Sequence, residues 1–315
     1  MARTLRSTPA QPVFYGQIHF GYFRTPFPTL NLLAADTAGH RWAPRWWRQR
    51  ELLRWHRIVV VHPAWRVELG IAQHGTRFRA WCSCDPVEDG PRSHEARMAG
   101  LPGAAALPDQ LLRGDAFFRQ PDFRVQIAHR LQDGRHAVTV HAPGWDVALD
   151  VNEGGVQPLI AVLPVNDYRR PLYLHQAPGA VRGTVQIGAQ CWALDENAWA
   201  WVDVWRGFAA EWERFVLAGQ DATSAPVGVH LLRTAIRDDE AWNGCGGWSG
   251  GQLSLLGAAR FDDDRISTAD GRVAFSMARS GHWDGVWEDD AGLRHHIAGA
   301  RGWFERFRAE GLRFG

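Results

Sequence analysis

The chain has no lysine: all 35 of its basic residues are arginine. That absence excludes a P-loop lysine, a kinase-type phosphate lysine and a Schiff-base lysine. Genome base composition is the simplest source of the bias. Long apolar runs are missing too; none approaches the ~18 residues that would span a bilayer. The opening stretch MARTLRSTPAQPVFYG has no apolar segment of signal-peptide type, so the expected location is the cytoplasm. Cysteine is scarce: Cys82, Cys84, Cys191 and Cys245. Cys82-Ser83-Cys84 is too tightly spaced for a zinc knuckle, and no disulfide framework is visible.

Charge is balanced, with 35 basic against 34 acidic residues. No global field then attracts nucleic acid or an anionic membrane. The most basic stretch, Arg41–Arg57, interleaves arginine with Trp42, Trp46, Trp47 and Trp55. Such a pattern can stack on single-stranded nucleic acid. The near-neutral balance argues instead for a loop whose arginines reach outward. His19, His56, His62, His295 and His296 lack metal-ligand spacing and read as ordinary surface or core residues. Gly247-Trp248-Ser249-Gly250-Gly251 matches G-x-S-x-G, but it lacks the strand before and the helix after that a nucleophile elbow needs. Asp262-Asp263-Asp264 fails the EF-hand spacing and reads as a hairpin tip. Neither a metal nor a cofactor is expected.

What the chain has is tryptophan: 17 of them, against 15 Phe and 4 Tyr. Short alternating segments recur with turns every 8–12 residues, the rhythm of an all-β barrel or sandwich. Examples are Leu52–His62, Phe123–Leu131, His136–Ala142 and Trp145–Val151, with Asp133-Gly134-Arg135 as a hairpin turn. Asp85–Leu112 reads as a long loop with a helical turn near Asp109–Leu112. Ala209–Leu217 fits a short helix or a strand. The chain length suits two domains, expected at 1–217 and 218–315, with the turn-rich Ala218–Pro226 at the boundary.

The stretch Asn197–Phe215 stands out. As a strand it puts Trp199, Trp201, Asp203 and Trp205 on one face, and Ala198, Ala200, Val202 and Val204 on the other. Three indoles around one carboxylate suggest an apolar cavity holding an acid, whose pKa desolvation would raise. Arg206 competes by favouring the ionised form. A catalytic acid and a structural Asp203–Arg206 pair both fit this pattern. Pro171–Gln176 places Tyr173 and His175 on one face. A meander could aim His175 and Asp203 into one cavity; a satisfied core histidine fits equally.

The block Pro158–Gly207 resembles a bacterial calycin-like family related to the tandem-lipocalin superfamily of carotenoid 1,2-hydratases and AttH-like proteins. The likeness rests on Tyr173–His175, on Gly183–Val185, and on the aromatic-x-Asp-x-x-x-Gly run of Trp201, Asp203 and Gly207. Weaker matches are Leu53–Val61 and Gln252–Phe261. The resemblance implies two consecutive lipocalin-like β-barrels or half-barrels, with Asp203 and His175 as the acid–base pair. Val204 and Trp205 depart from the His and Asn common in that family.

The expectation is therefore an acid–base enzyme without a cofactor, a hydratase, isomerase or cyclase. Its substrate would be an apolar isoprenoid- or polyketide-like small molecule. Asp203 and His175 would be catalytic; Trp199, Trp201, Trp205, Tyr173, Arg206, Trp212 and His230 would bind substrate. The alternatives are a lipid or pigment carrier of lipocalin type and a carbohydrate-binding or carbohydrate-active sandwich. A homodimer through exposed barrel edges is compatible with either enzyme or carrier.

Overall fold

The computed structural model describes residues 3–35, 52–86, 94–100, 103–165, 170–208, 211–220, 226–234, 241–279 and 281–307. Most of the basic stretch beginning at Arg41 lies outside them, as does part of the expected boundary region.

The fold is all-β: two lipocalin-like barrels in tandem, each curled from one largely antiparallel sheet. The first sheet has 15 strands and the second 9. Among the described residues the only helical element is a 3-10 turn, Leu32–Ala34. Asp109–Leu112 is not helical, and Trp212–Gln220 is a strand. The expected loop 85–112 carries a further strand, His94–Gly100, paired with Arg77–Pro86. No helix among the described residues is long and apolar enough to cross a membrane.

Alternation builds the first barrel. In Arg135–Ala142 and Trp145–Asn152 buried and exposed residues alternate without a break. Val138, Val140, Val147, Leu149 and Val151 turn inward to join Ile58, Val60, Val67, Ile71 and Phe118 in one core. Opposite ends of the sheet curl together: the Phe118 ring lies against Gly100. The centre of the sheet is different. Trp199–Phe208 lies between Leu52–His62 and Arg170–Ile187, and nearly all its residues are buried. A strand covered on both faces needs a second layer outside the barrel, and the second barrel supplies it.

The chain passes from the first sheet to the second between Phe208 and Trp212. Trp212–Gln220 pairs with Pro226–Thr234 and Arg294–Phe307, so Leu217 and Ala218 lie within one strand of the second sheet. The interior of that barrel is filled by Phe215, Leu231, Phe275, Trp283, Trp287 and their neighbours.

Candidate active site

Register decides where each candidate points. Across the central strands Asp203 faces Gln176 and Arg57, whereas His175 faces Val204 and His56. Directly opposed residues share a face, and neighbours in sequence do not. Asp203 and His175 therefore lie on opposite faces of one sheet. The expectation that they share a cavity is corrected by this one-residue offset.

The tryptophan face of the strand looks out of the first barrel, into the contact with the second. Trp205 stacks on Trp55 at 4.7 Å, and Trp212 of the second sheet tilts against both. Trp201 meets Trp248 edge-on and stacks on His230. Trp199, at the strand's start, is half-buried. Trp201, Trp205 and Trp212 pack together in the contact between the barrels, and Trp212 also lines a cavity of about 430 Å³ with Glu213, Arg233, Arg306 and Phe307.

Asp203 sits in that contact between the barrels, fully buried. Arg57 Nε and Arg214 Nη1 each donate to Oδ2 at 2.8 Å, and Gln176 Nε2 donates to Oδ1 at 2.5 Å. The Gln176 carbonyl in turn accepts from Trp201 Nε1 at 2.7 Å. Arg57 and Arg214 continue to Glu305 of the second barrel, and Arg57 also reaches Glu68. Burial raises the Asp203 pKa above the ordinary carboxylate value, with Arg57 and Gln176 opposing it. Against that, Arg57, Arg214 and Gln176 all donate to it, which favours the carboxylate form. Arg206 is not the partner of Asp203: it points into the first barrel. His230 is also buried at the contact. Its Nδ1–H donates to the Gly244 carbonyl at 2.6 Å, and burial lowers its pKa to about 4.

The inward face carries the other chemistry. Four histidines, one glutamate and one arginine form a continuous buried chain. Arg206 Nη2 reaches His56 Nε2 at 3.0 Å. His56 Nδ1 contacts His129 Nε2, and His129 Nδ1 lies 3.1 Å from His136 Nδ1. His136 Nε2 lies 2.6 Å from Glu153 Oε1, and His175 Nε2 lies 3.0 Å from Glu153 Oε2.

The two ends of this chain fix its proton positions. Arg206 can only donate, so His56 Nε2 accepts and its Nδ1 carries hydrogen. That hydrogen makes His129 Nε2 an acceptor and His129 Nδ1 a donor. His136 then accepts at Nδ1 and donates at Nε2 to Glu153. Each step is forced by the one before, and all is consistent with an ionised Glu153. Burial, then neighbours including Arg206, hold His56 and His129 well below the usual imidazole range, hence neutral. Burial alone would raise Glu153, but His175 and His136 beside it outweigh that and hold it low. Glu153 thus accepts the Nε2–H of His175. With Nε2–H given to Glu153, a neutral His175 carries its lone pair on Nδ1, and that atom is buried with no hydrogen-bond partner among the described residues.

A cavity of about 320 Å³ opens at this end of the barrel. Leu30, Leu32, Leu33 and Leu52 give it an apolar side; Arg54, Gln73, Asp109 and Arg206 give it a polar one. Arg206 thus belongs both to the cavity wall and to the buried chain. Tyr173 lies directly across the strand pair from Arg206.

Of the sequence candidates, the structure gathers Tyr173, His175 and Arg206 inside the first barrel. It gathers Trp201, Trp205, Trp212, Asp203 and His230 between the barrels. His56, read from sequence as an ordinary histidine, is part of the buried chain. His129, His136 and Glu153 were not singled out. A signal existed: His129 and His136 end the inward rows of Phe123, Val125, Ile127 and of Val138, Val140, beside a hairpin. Glu153 lay hidden in an Asn-Glu-Gly-Gly turn. No metal-binding group of three or more side chains occurs among the described residues.

The fold is the tandem-lipocalin one. Structures of CghA share it: one solved with Sch210972 at TM-score 0.53 and 12% identity, over 80% of this chain and 87% of that one. Another CghA structure gives 0.54 and 11%, over 82% and 88%. Kievitone hydratase from Nectria haematococca matches at 0.47 and 9%, over 75% of each chain. Comparison with curated proteins finds no match. The chain belongs to the family described as "Domain of unknown function (DUF2804)", which matches residues 14–261.

Proposed function

We propose that this protein is an acid–base enzyme of hydratase, isomerase or cyclase type acting on an apolar small molecule. An isoprenoid- or polyketide-like body suits the leucine side of the cavity. The observation that carries this reading is the oriented His175–Glu153 pair. Glu153 holds the imidazole by Nε2 and stabilises the imidazolium that forms when Nδ1 takes a proton. The remaining histidines, by holding Glu153 Oε1 from the other side, keep the carboxylate ionised. The acid–base role thus passes from Asp203 to Glu153, with His175 retained. A structure of CghA, which shares this fold, was solved with Sch210972, and that supports a small-molecule ligand for this protein.

Mass spectrometry of an organic extract of the folded protein is the first test. The extracted molecule, returned in D2O, should gain deuterium or be converted, and Glu153→Gln should slow this by on the order of 100-fold. If the bound molecule passes through unchanged, a lipocalin-type carrier replaces the enzyme. If nothing is extracted and no apolar olefin or ketone offered is converted, the acid–base reading fails.

A further inference from the structure

Besides three indole N–H groups, the buried polar atoms of the first barrel without a hydrogen-bond partner among the described residues are Tyr173 Oη, His175 Nδ1 and Arg206 Nε. All three residues are at most 2% exposed. They belong to two neighbouring strands and one face: Tyr173 and Arg206 are directly opposed, and His175 is two residues along from Tyr173. A buried hydroxyl and a buried guanidinium N–H without acceptors are costly in a finished core. The cost is spread over one small patch of the barrel wall, and Arg206 joins that patch to the cavity.

The three atoms differ in kind. Tyr173 O–H and Arg206 Nε–H are donors. His175 Nδ1, by the tautomers set out above, is an acceptor. Two donors beside one base match a group that gains negative charge on oxygen while losing a proton from a neighbouring carbon. Tyr173 and Arg206 sense one another electrostatically, and burial pulls Arg206 down to about 9 while pushing the Tyr173 phenol up. Tyr173 therefore keeps its proton and donates.

We propose that Tyr173 Oη and Arg206 Nε bind the carbonyl oxygen of the substrate, which makes the substrate class an apolar ketone or enone with an α-hydrogen. This rests on the acid–base reading of His175. His175 Nδ1 removes the α-proton; the C–H electron pair forms the C=C bond of an enolate, and the carbonyl π pair moves to oxygen. Tyr173 and Arg206 hold that oxygen. The proton on His175 exchanges with solvent, and a proton returns to the α-carbon or, where the substrate is a β,γ-enone, to the γ-carbon of its dienolate, so the step balances as hydrogen exchange or as isomerisation with no co-reactant.

The test uses carvone, β-ionone and 2-cyclohexenone as probes, with carveol and β-ionol as matched alcohols. Binding is followed by tryptophan fluorescence, and the carbonyl by its infrared stretch in the bound state. At least one ketone should bind with its stretch lowered relative to the ketone in water. Tyr173→Phe should return the stretch toward the solution value and weaken that ketone by about tenfold, with little change for its alcohol. Because the hydroxyl has no protein partner to lose, Tyr173→Phe should melt no lower than wild type. Equal ketone affinity in wild type and Tyr173→Phe, an unshifted stretch, no binding by any of the three ketones, or a clear drop in melting temperature would each overturn the proposal. Deuterium uptake by the bound ketone in D2O reports His175 separately. A lowered stretch without uptake would keep Tyr173 and Arg206 as the carbonyl-binding pair and remove the acid–base reading.

Discussion

Asp203 of the first barrel accepts a 2.8 Å hydrogen bond from Arg214 of the second. The pair is wholly buried, with side-chain exposures of 0% and 1%. Asp203→Asn would leave Arg57 and Arg214 to Glu305 and Glu68 alone, with an amide N–H or oxygen where the anion stood. Breaking a buried pair from one side costs about 3–5 kcal/mol. Chemical denaturation should show that loss, with a red-shifted tryptophan emission if the barrels part. Unchanged stability would mean that Asp203 does not hold the barrels together.

Trp205 is pinned between Trp55 and Trp212. Trp205→Ala should cost about 3–5 kcal/mol, as for other large aromatic truncations in cores. Trp205→Phe should recover much of it. A substrate-wall role would instead show as altered ligand affinity at unchanged stability.

Acid should unfold this protein early. His56 and His129 are buried neutral with pKa values well below the ordinary value, and His230 is lowered to about 4. A depressed histidine contributes stability that is fully present above the unfolded value near 6.5. As pH falls below that, the unfolded chain binds protons that the native state refuses, and stability declines. Each such group contributes a slope of about 1.4 kcal/mol per pH unit, so three give about 4 at the steepest. Denaturation between pH 7 and 4.5 checks this; a flat profile would contradict the neutral chain.

Gly183 has φ +128°, and a Cβ there would come within 2.0 Å of the Ala148 carbonyl. The position lies mid-strand in Arg170–Ile187, where that strand pairs with both Trp145–Asn152 and Gln190–Leu194. Gly183→Ala should cost about 3 kcal/mol or prevent soluble folding. The melting temperature, or the soluble yield, reports it.

Thiol reactivity should separate one cysteine from three. Cys191 is exposed, and Cys82, Cys84 and Cys245 are buried. Burial raises the buried thiols to about 12, 11 and 12 respectively. A thiol reagent should modify one cysteine in the native protein and all four after unfolding. Fast modification of more than one would place another thiol at the surface.

The strand rhythm and the face shared by Trp199, Trp201, Asp203 and Trp205 were legible because alternation is a local property. Which face lies inside was not. Both faces of that strand are apolar, since it is covered on both sides, and a period of two carries no sign. The Asp203–Arg206 pairing failed for a related reason. Three residues apart in a strand means opposite faces, and the true partners Arg57, Arg214 and Gln176 come from other strands. Glu153 was lost because its turn residues speak louder than its charge.

The strand Arg170–Ile187 carries His175 toward Glu153 inside the first barrel and Gln176 toward the neighbouring barrel. Its spacing behaves as a parity check. A shift of its register by one residue would trade the two assignments at a stroke, whereas a shift of two would restore them.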